Sequence, residues 1–145
     1  MDFNHKEDFY SDAYIADILK TTKRIALVGA SDKPERASYR VFKFLLDKGY
    51  DVIPVSPKFT DKDLLGQKGY ASLDQIPGEI DLVDIFRNSR DAGGVVDEAI
   101  KKGAKVAWLQ LEIINHEAAD RAESAGMKMV MNRCPAIEYP RLSLG

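Results

Sequence analysis

The sequence predicts a single α/β domain, a Rossmann-like three-layer sandwich in which a five-stranded parallel sheet lies between helices. Three observations predict it. Short β-rich apolar runs alternate with amphipathic stretches over nearly the whole chain, and such alternation calls for βαβ crossovers and a parallel sheet. The first run, "RIALV" before Gly29, is apolar without interruption, as expected of a strand buried on both faces. The chain has 145 residues, 45% apolar and 30% charged, which suits one domain (1–145) around one core, with residues 1–10 expected to be flexible.

Each element has its own signal. Ser11 is placed to cap a first helix with Tyr14, Ile15, Ile18 and Leu19 on one face. Arg24–Gly29 is the first strand and its turn. Ser38 is the expected N-cap of the next helix, which buries Val41, Phe42, Leu45 and Leu46 and stops at Gly49. "DVIPV" (Asp51–Val55) is the second strand, and Pro54 inside it implies incomplete pairing there. A long loop leads to "IDLVDIF" (Ile80–Phe86), the third strand, with Ile80, Leu82 and Asp84 on one face. "RDAGGVVDEAIKKG" is a helix ended by Gly103 and weakened by Gly93 and Gly94. "KVAWLQL" is the fourth strand, Asn115 caps a helix ending at Gly126, and "MKMVM" is the fifth strand with its methionines on one face. The tail, broken by Pro135 and Pro140, is expected to lie over the core. The expected strand order is 3-2-1-4-5, with the switch point between strands one and four. Ligands of such sheets bind beyond the carboxyl ends of the strands, so the loops after Gly29, Val55, Phe86 and Leu109 are the ones that matter.

Composition narrows the function. The net charge of −2 speaks against a nucleic-acid binder. Cys134 is the lone cysteine, so there is no internal disulfide framework, and His5 and His116 lack metal-ligand spacing. The polar, acidic N-terminus is unlike a signal peptide, and no apolar run approaches the roughly 20 residues of a membrane span. No membrane association and a cytoplasmic location are expected.

The loop "GASDKPERAS" follows the first strand where a dinucleotide fingerprint would carry three glycines. Only Gly29 is present, followed by Ala30 and Ser31. The coming helix still offers free N–H groups and a positive dipole end, with Lys33, Arg36 and Arg40 nearby, which favours a phosphate. An NAD site wants an acid after the second strand; here Val55 leads into Ser56-Pro57-Lys58. A lysine there suits an extra phosphate on the ribose, as in coenzyme A or NADP. The plainer reading of the same residues is a tight strand-to-helix turn flanked by solvated lysines.

Six blocks in order, "VGASDKPERASYRV", "GYDVIPVSPK", "LLGQKGYASLDQIP", "DLVDIFR", "AKVAWLQ" and "AGMKMVMNRCPAIEYPRL", resemble the small stand-alone CoA-binding domains. That family is similar to the nucleotide-binding domain of the succinyl-CoA synthetase α subunit. The resemblance runs from about Thr22 to Leu142. It implies CoA lying across the strand ends, with Gly29, Ala30 and Ser31 at the pyrophosphate and Lys33 and Arg36 as charge partners. It further implies Val55, Pro57 and Lys58 at the 3′-phosphate end, Phe86 and Arg87 flanking the adenine or phosphates, and Gln110 on the pantetheine path. Two positions depart from the pattern: Ser56 stands where the family usually has asparagine, and Glu112 where it usually has glycine. A carboxylate at position 112 is expected to add bulk and repel an anion at the crevice mouth.

No catalytic residue is assigned. The synthetases phosphorylate a histidine in a second domain that has no counterpart here; His116 reads as an exposed first-turn residue. Cys134 reads as a small buried hydrophobe. Its functional alternative is a mixed disulfide with the CoA thiol, aided by Arg133 lowering the thiol pKa. Asp81 and Asp84 read as turn and edge residues, Asp84 needing a partner if buried. Trp108 reads as core or crevice wall. The expected function is a CoA or acyl-CoA binding module without intrinsic chemistry. The alternatives are an NADP-type oxidoreductase and the CoA-binding subunit of a two-component acyl-CoA ligase, which would bring a protein partner.

Overall fold

The computed structural model describes residues 10–145; the expectations for His5 and for a flexible 1–9 segment lie outside the described residues. Tyr10, expected to be flexible, is buried instead. Ser11 caps α1 (Asp12–Thr21) by accepting from the Tyr14 N–H at 3.1 Å. Then follow β1 (Arg24–Val28), α2 (Ala37–Asp47), β2 (Asp51–Val55), β3 (Leu82–Ile85), α3 (Ser89–Lys102), β4 (Val106–Leu109), α4 (His116–Ser124), β5 (Lys128–Val130) and α5 (Pro135–Arg141). Asn88 and Asn115 cap α3 and α4 through their side chains, and Gly103 ends α3 in the left-handed conformation.

The five strands form one parallel sheet in the order β2-β1-β3-β4-β5. The α/β class and the five-stranded sheet are as expected, but the order differs from 3-2-1-4-5. β3 lies between β1 and β4, not outside β2. The reason is in two strands. All four residues of β3 are buried, which fits the centre of a sheet. β2 contains Pro54, which lacks an N–H and belongs at an edge. The switch point therefore falls between β1 and β3.

Strand alternation splits the core into two layers. Ala26, Val28, Val83, Ile85, Ala107, Leu109 and the methionines 127, 129 and 131 face α3 and α4, where Ala92, Val96, Ala99, Ala118 and Ala122 allow close packing. Ile25, Leu27, Leu82, Trp108 and Val130 face α1, α2 and α5. Ile80 precedes β3 and packs in the first layer, opposite Leu82, so the two do not share a face. Asp84 is at the sheet centre, not at an edge, and is wholly buried. Asp81 does serve the turn: it accepts from the backbone N–H groups of Lys23 and Arg24 at 3.0 and 2.9 Å, beside Lys105.

Two further local differences shape the molecule. The N-cap of α2 is Arg36, with no side-chain cap, and Ser38 sits buried in the first turn. The tail forms a helix, because Pro135 stands at its first turn, where its missing N–H costs nothing. The long loop after β2 contains a two-residue hairpin, pairing Asp63 with Lys68.

Both sheet edges are covered. Beside β2, the Tyr70 N–H donates to the Pro54 carbonyl and the Ser56 N–H to the Tyr70 carbonyl. Beside β5, the Tyr14 hydroxyl donates to the Met129 carbonyl and accepts from the Met129 N–H, both at 3.0 Å, and the Tyr10 hydroxyl accepts from the Met131 N–H at 2.9 Å. The Tyr10 and Tyr14 rings stack at 5.7 Å. Stacked hydroxyls thus stand in for a sixth strand.

Tyr14→Phe removes two hydrogen bonds and is expected to cost about 1–3 kcal/mol by urea denaturation at neutral pH. Burial holds the Tyr14 and Tyr50 hydroxyls up to about 12. The unfolded chain ionises first, near pH 10, so their contribution is intact below about pH 10 and is lost as pH rises to about 12. Stability is expected to fall steeply across that window, and less steeply in Tyr14→Phe; equal slopes count against this role. Gly29 has φ +90°, and a Cβ there would lie 2.3 Å from the Phe86 carbonyl oxygen. Gly29→Ala is expected to cost about 2–4 kcal/mol, read as a lowered urea midpoint.

Candidate functional site

Gly29 is where three strand ends meet. Its N–H donates to the Val55 carbonyl at 2.9 Å, joined by the Ala30 N–H at 3.3 Å, and its Cα packs against the Phe86 carbonyl. The β1 loop then rises away from the sheet. Ser31 accepts from the Lys33 N–H at 3.1 Å, and the Arg36 N–H donates to the Lys33 carbonyl. These turns delay α2 until Ala37 and set Lys33 and Arg36 around its uncapped N-terminus, whose N–H groups stay open to an anion.

A crevice with two adjoining compartments lies over the carboxyl ends of β1 to β4. The smaller, about 320 Å³, is bounded by Gly29, Ala30, Ser31, Lys33 and Arg36 from the β1 loop, Ser56, Pro57 and Lys58 after β2, and Phe86 and Arg87 after β3. The larger, about 750 Å³, shares Gly29, Arg36, Ser38, Phe86 and Arg87 with it. It continues to Val41 and Phe44 on α2, Gln110, Leu111 and Ile113 after β4, and Cys134 and Ala136 at α5. The smaller half is cationic; the larger is mostly apolar, with Arg40 beside the shared Arg36 and Arg87 at its α2 side.

Ten of the eleven residues expected at a site thus border this crevice. Val55 does not: it is buried, and its carbonyl acts only by holding the Gly29 and Ala30 N–H groups. Sequence reasoning missed Val41, which it read as part of the buried helix face, Phe44, which it left off that face, and Ala136, in a tail not expected to be helical. It also missed Asp32 and Lys62. The Asp32 carboxylate lies 2.5 Å from Lys62 and 3.6 Å from Lys58, and the hydrogen bond from Lys62 holds it below the usual carboxylate range. Nothing in the spacing marks Lys62, because the loop after β2 brings it back.

Three further expectations change. Burial pushes the Cys134 thiol up, outweighing its hydrogen bond with Gln110, while the Arg133 guanidinium stacks on the Tyr10 ring and donates to the Asn132 carbonyl. A thiolate primed by Arg133 is therefore not what the structure holds. His116 is half-buried, with Nδ1 enclosed and unpartnered, not an exposed first-turn residue. Glu112 has φ +67°, the left-handed region that glycine favours, and its N–H donates to Asn132 Oδ1 at 2.7 Å. Its exposed side chain is not among the residues that line the crevice.

Among the described residues, no group of three or more His, Cys, Asp or Glu is placed to hold a metal, and no helix is long and apolar enough to cross a membrane.

The comparisons with known proteins agree with this geometry. Residues 23–140 match the family model described as a CoA binding domain. The YneT protein of Bacillus subtilis (strain 168) is 42% identical over 129 residues, 89% of this chain and 94% of that one. A hypothetical protein of Pyrococcus horikoshii OT3, of known structure, is 46% identical with full coverage of both chains and a TM-score of 0.89. The α subunit of ADP-forming acetate–CoA ligase I of Pyrococcus furiosus is 33% identical over 94 residues, 62% of this chain but only 20% of that subunit. With most of its length matched by the family model and a fold shared along the whole chain, the protein belongs to the CoA-binding domain family.

Proposed function

We propose that the chain binds coenzyme A or an acyl-CoA in the crevice over the strand ends. The observation that carries the reading is the division of that crevice into a cationic compartment and an adjoining apolar one. CoA has the same division, with phosphates at one end and the pantetheine arm at the other. The residues fit the group: the open first turn of α2, with Lys33 and Arg36, suits the pyrophosphate beside Gly29, Ala30 and Ser31. Lys58, after Pro57, suits the 3′-phosphate, with Lys62 held next to it through Asp32. Phe86 and Arg87 stand between the compartments and flank the adenine or phosphates, and Gln110 lies on the pantetheine path. CoA supplies the thiol chemistry; the chain's own residues hold and orient it.

A second reading is favoured by one comparison. The chain corresponds to about a fifth of an acetate–CoA ligase α subunit. It would then supply the CoA site of a two-part ligase and co-purify with an ATP-grasp-type chain.

Thermal shift with CoA, dephospho-CoA, NAD and NADP tests the ligand. CoA at 100 times its dissociation constant is expected to stabilise by about 2.7 kcal/mol. Stabilisation by NADP and not by CoA defeats the reading. Lys58→Ala is expected to reduce the preference for CoA over dephospho-CoA about tenfold; an unchanged preference removes Lys58 from the 3′-phosphate.

A further inference from the structure

Asp84 is a carboxyl with 0% exposure in the middle of the central strand. Its neighbours across the sheet, Leu27 and Trp108, carry no charge. The Trp108 indole N–H does not serve it, since it donates to the Arg133 carbonyl at 2.8 Å. The Arg133 guanidinium is engaged with the Tyr10 ring and the Asn132 carbonyl. The buried faces of α1 and α2 in this layer are apolar apart from Ser38. Among the described residues, the titratable group facing Asp84 is the Cys134 thiol at the start of α5, and the other buried ionisable group of that helix, Glu138, is paired with Arg141.

What Asp84 meets is the amide of Gln110, 2.8 and 3.3 Å from its two oxygens. Gln110 is 6% exposed, lines the larger compartment, and contacts the Cys134 thiol, which lines it too. A carboxyl buried without a cation is thus linked, through one amide, to the crevice floor.

An amide has a donor end and an acceptor end, and the contact with Asp84 accepts either. If Asp84 is ionised, the Gln110 NH₂ donates to it and the Gln110 carbonyl is left to the Cys134 thiol and the crevice. If Asp84 is protonated, its O–H donates to the Gln110 carbonyl and the NH₂ is the end left to the thiol and the crevice. Burial pushes the Asp84 carboxyl well above the usual carboxylate range.

We propose that Asp84 is a positioning residue that selects the form of the ligand. Acting through Gln110, it decides whether the crevice floor offers a donor, which suits a thioester carbonyl, or an acceptor, which suits a free thiol. The inference rests on the CoA reading of the crevice.

Two measurements test it. In the ligand-free protein, the side-chain NH₂ resonances of Gln110 and the carboxyl ¹³C resonance of Asp84 are expected to titrate with one shared midpoint. A Gln110 signal that does not move, or moves with a different midpoint, overturns the proposal without any variant being made. Dissociation constants for acetyl-CoA and CoA are then measured from about pH 4 to about pH 8. The preference for acetyl-CoA over CoA is expected to fall about three- to tenfold as pH rises, and to be flat in Asp84→Asn. A merely structural carboxyl changes both affinities together and leaves their ratio constant. An invariant ratio in the wild type, or an equal fall in Asp84→Asn, overturns the role of Asp84 while leaving CoA binding intact. Binding of neither compound overturns the CoA reading and, with it, the selection of ligand form.

Discussion

The ends of β1 and β3 approach so closely at Gly29 that no side chain fits between them. The Phe86 carbonyl occupies the space a Cβ would take, while the Gly29 N–H holds the end of β2. That one position joins three strands at the switch point of the sheet. The chain does not turn directly into α2 from there. It climbs through Ala30 and Ser31 and makes a further turn at Lys33, so that α2 begins eight residues later at Ala37. The delay opens the smaller compartment and places two cations around a bare helix terminus. The glycine is first a packing requirement; the cationic compartment is a consequence of where the loop goes afterwards.

The same sheet needs its edges closed, because unpaired strands invite pairing with other chains. β2 meets this with Pro54 and the Tyr70 backbone, and β5 with the Tyr10 and Tyr14 hydroxyls. The β5 solution ties α1 across the sheet. It also fixes the segment after β5, since the Arg133 carbonyl accepts from Trp108 and Arg133 stacks on Tyr10. Cys134 therefore reaches the crevice floor through contacts that begin at the N-terminal tyrosines.

The elements were legible because their signals are local: Ser11 and Asn115 cap where their spacing to the helix says they should, and the methionines of β5 share a face as strand periodicity requires. Strand order was less legible. It is a competition among strands for the centre, and Pro54, read only as an awkward residue, was the signal that β2 loses it. Most of the crevice lining could be read from the loops, since the carboxyl ends of the strands bring four of them together. Lys62, Phe44 and Ala136 could not, because their places depend on how a long loop, a helix face and a tail fold back. Glu112 was misread for a related reason: a position that usually carries glycine marks a backbone angle here, not a need for space.

Two carboxyls stand behind the crevice lining, Asp32 against Lys58 and Asp84 against Gln110, and their surroundings make opposite demands. Asp32 is held ionised by Lys62 and Lys58 on an open loop, where salt screens the attraction and an exposed pair contributes little to stability. On the proposed reading, a phosphate would take over those lysines, so discrimination at that end would be Coulombic and would weaken with ionic strength. Asp84 is wholly buried, has no cation beside it among the described residues, and meets an amide that can be read in two directions. Its interactions are not screened, and leaving either partner unmatched is costly. If Asp84 acts as proposed, discrimination at the floor depends on hydrogen-bond polarity, which responds to a proton and not to salt. A ligand long enough to touch both ends would then be read twice, by charge at the loop and by donor or acceptor at the floor, and the two readings can be separated by varying salt and pH independently.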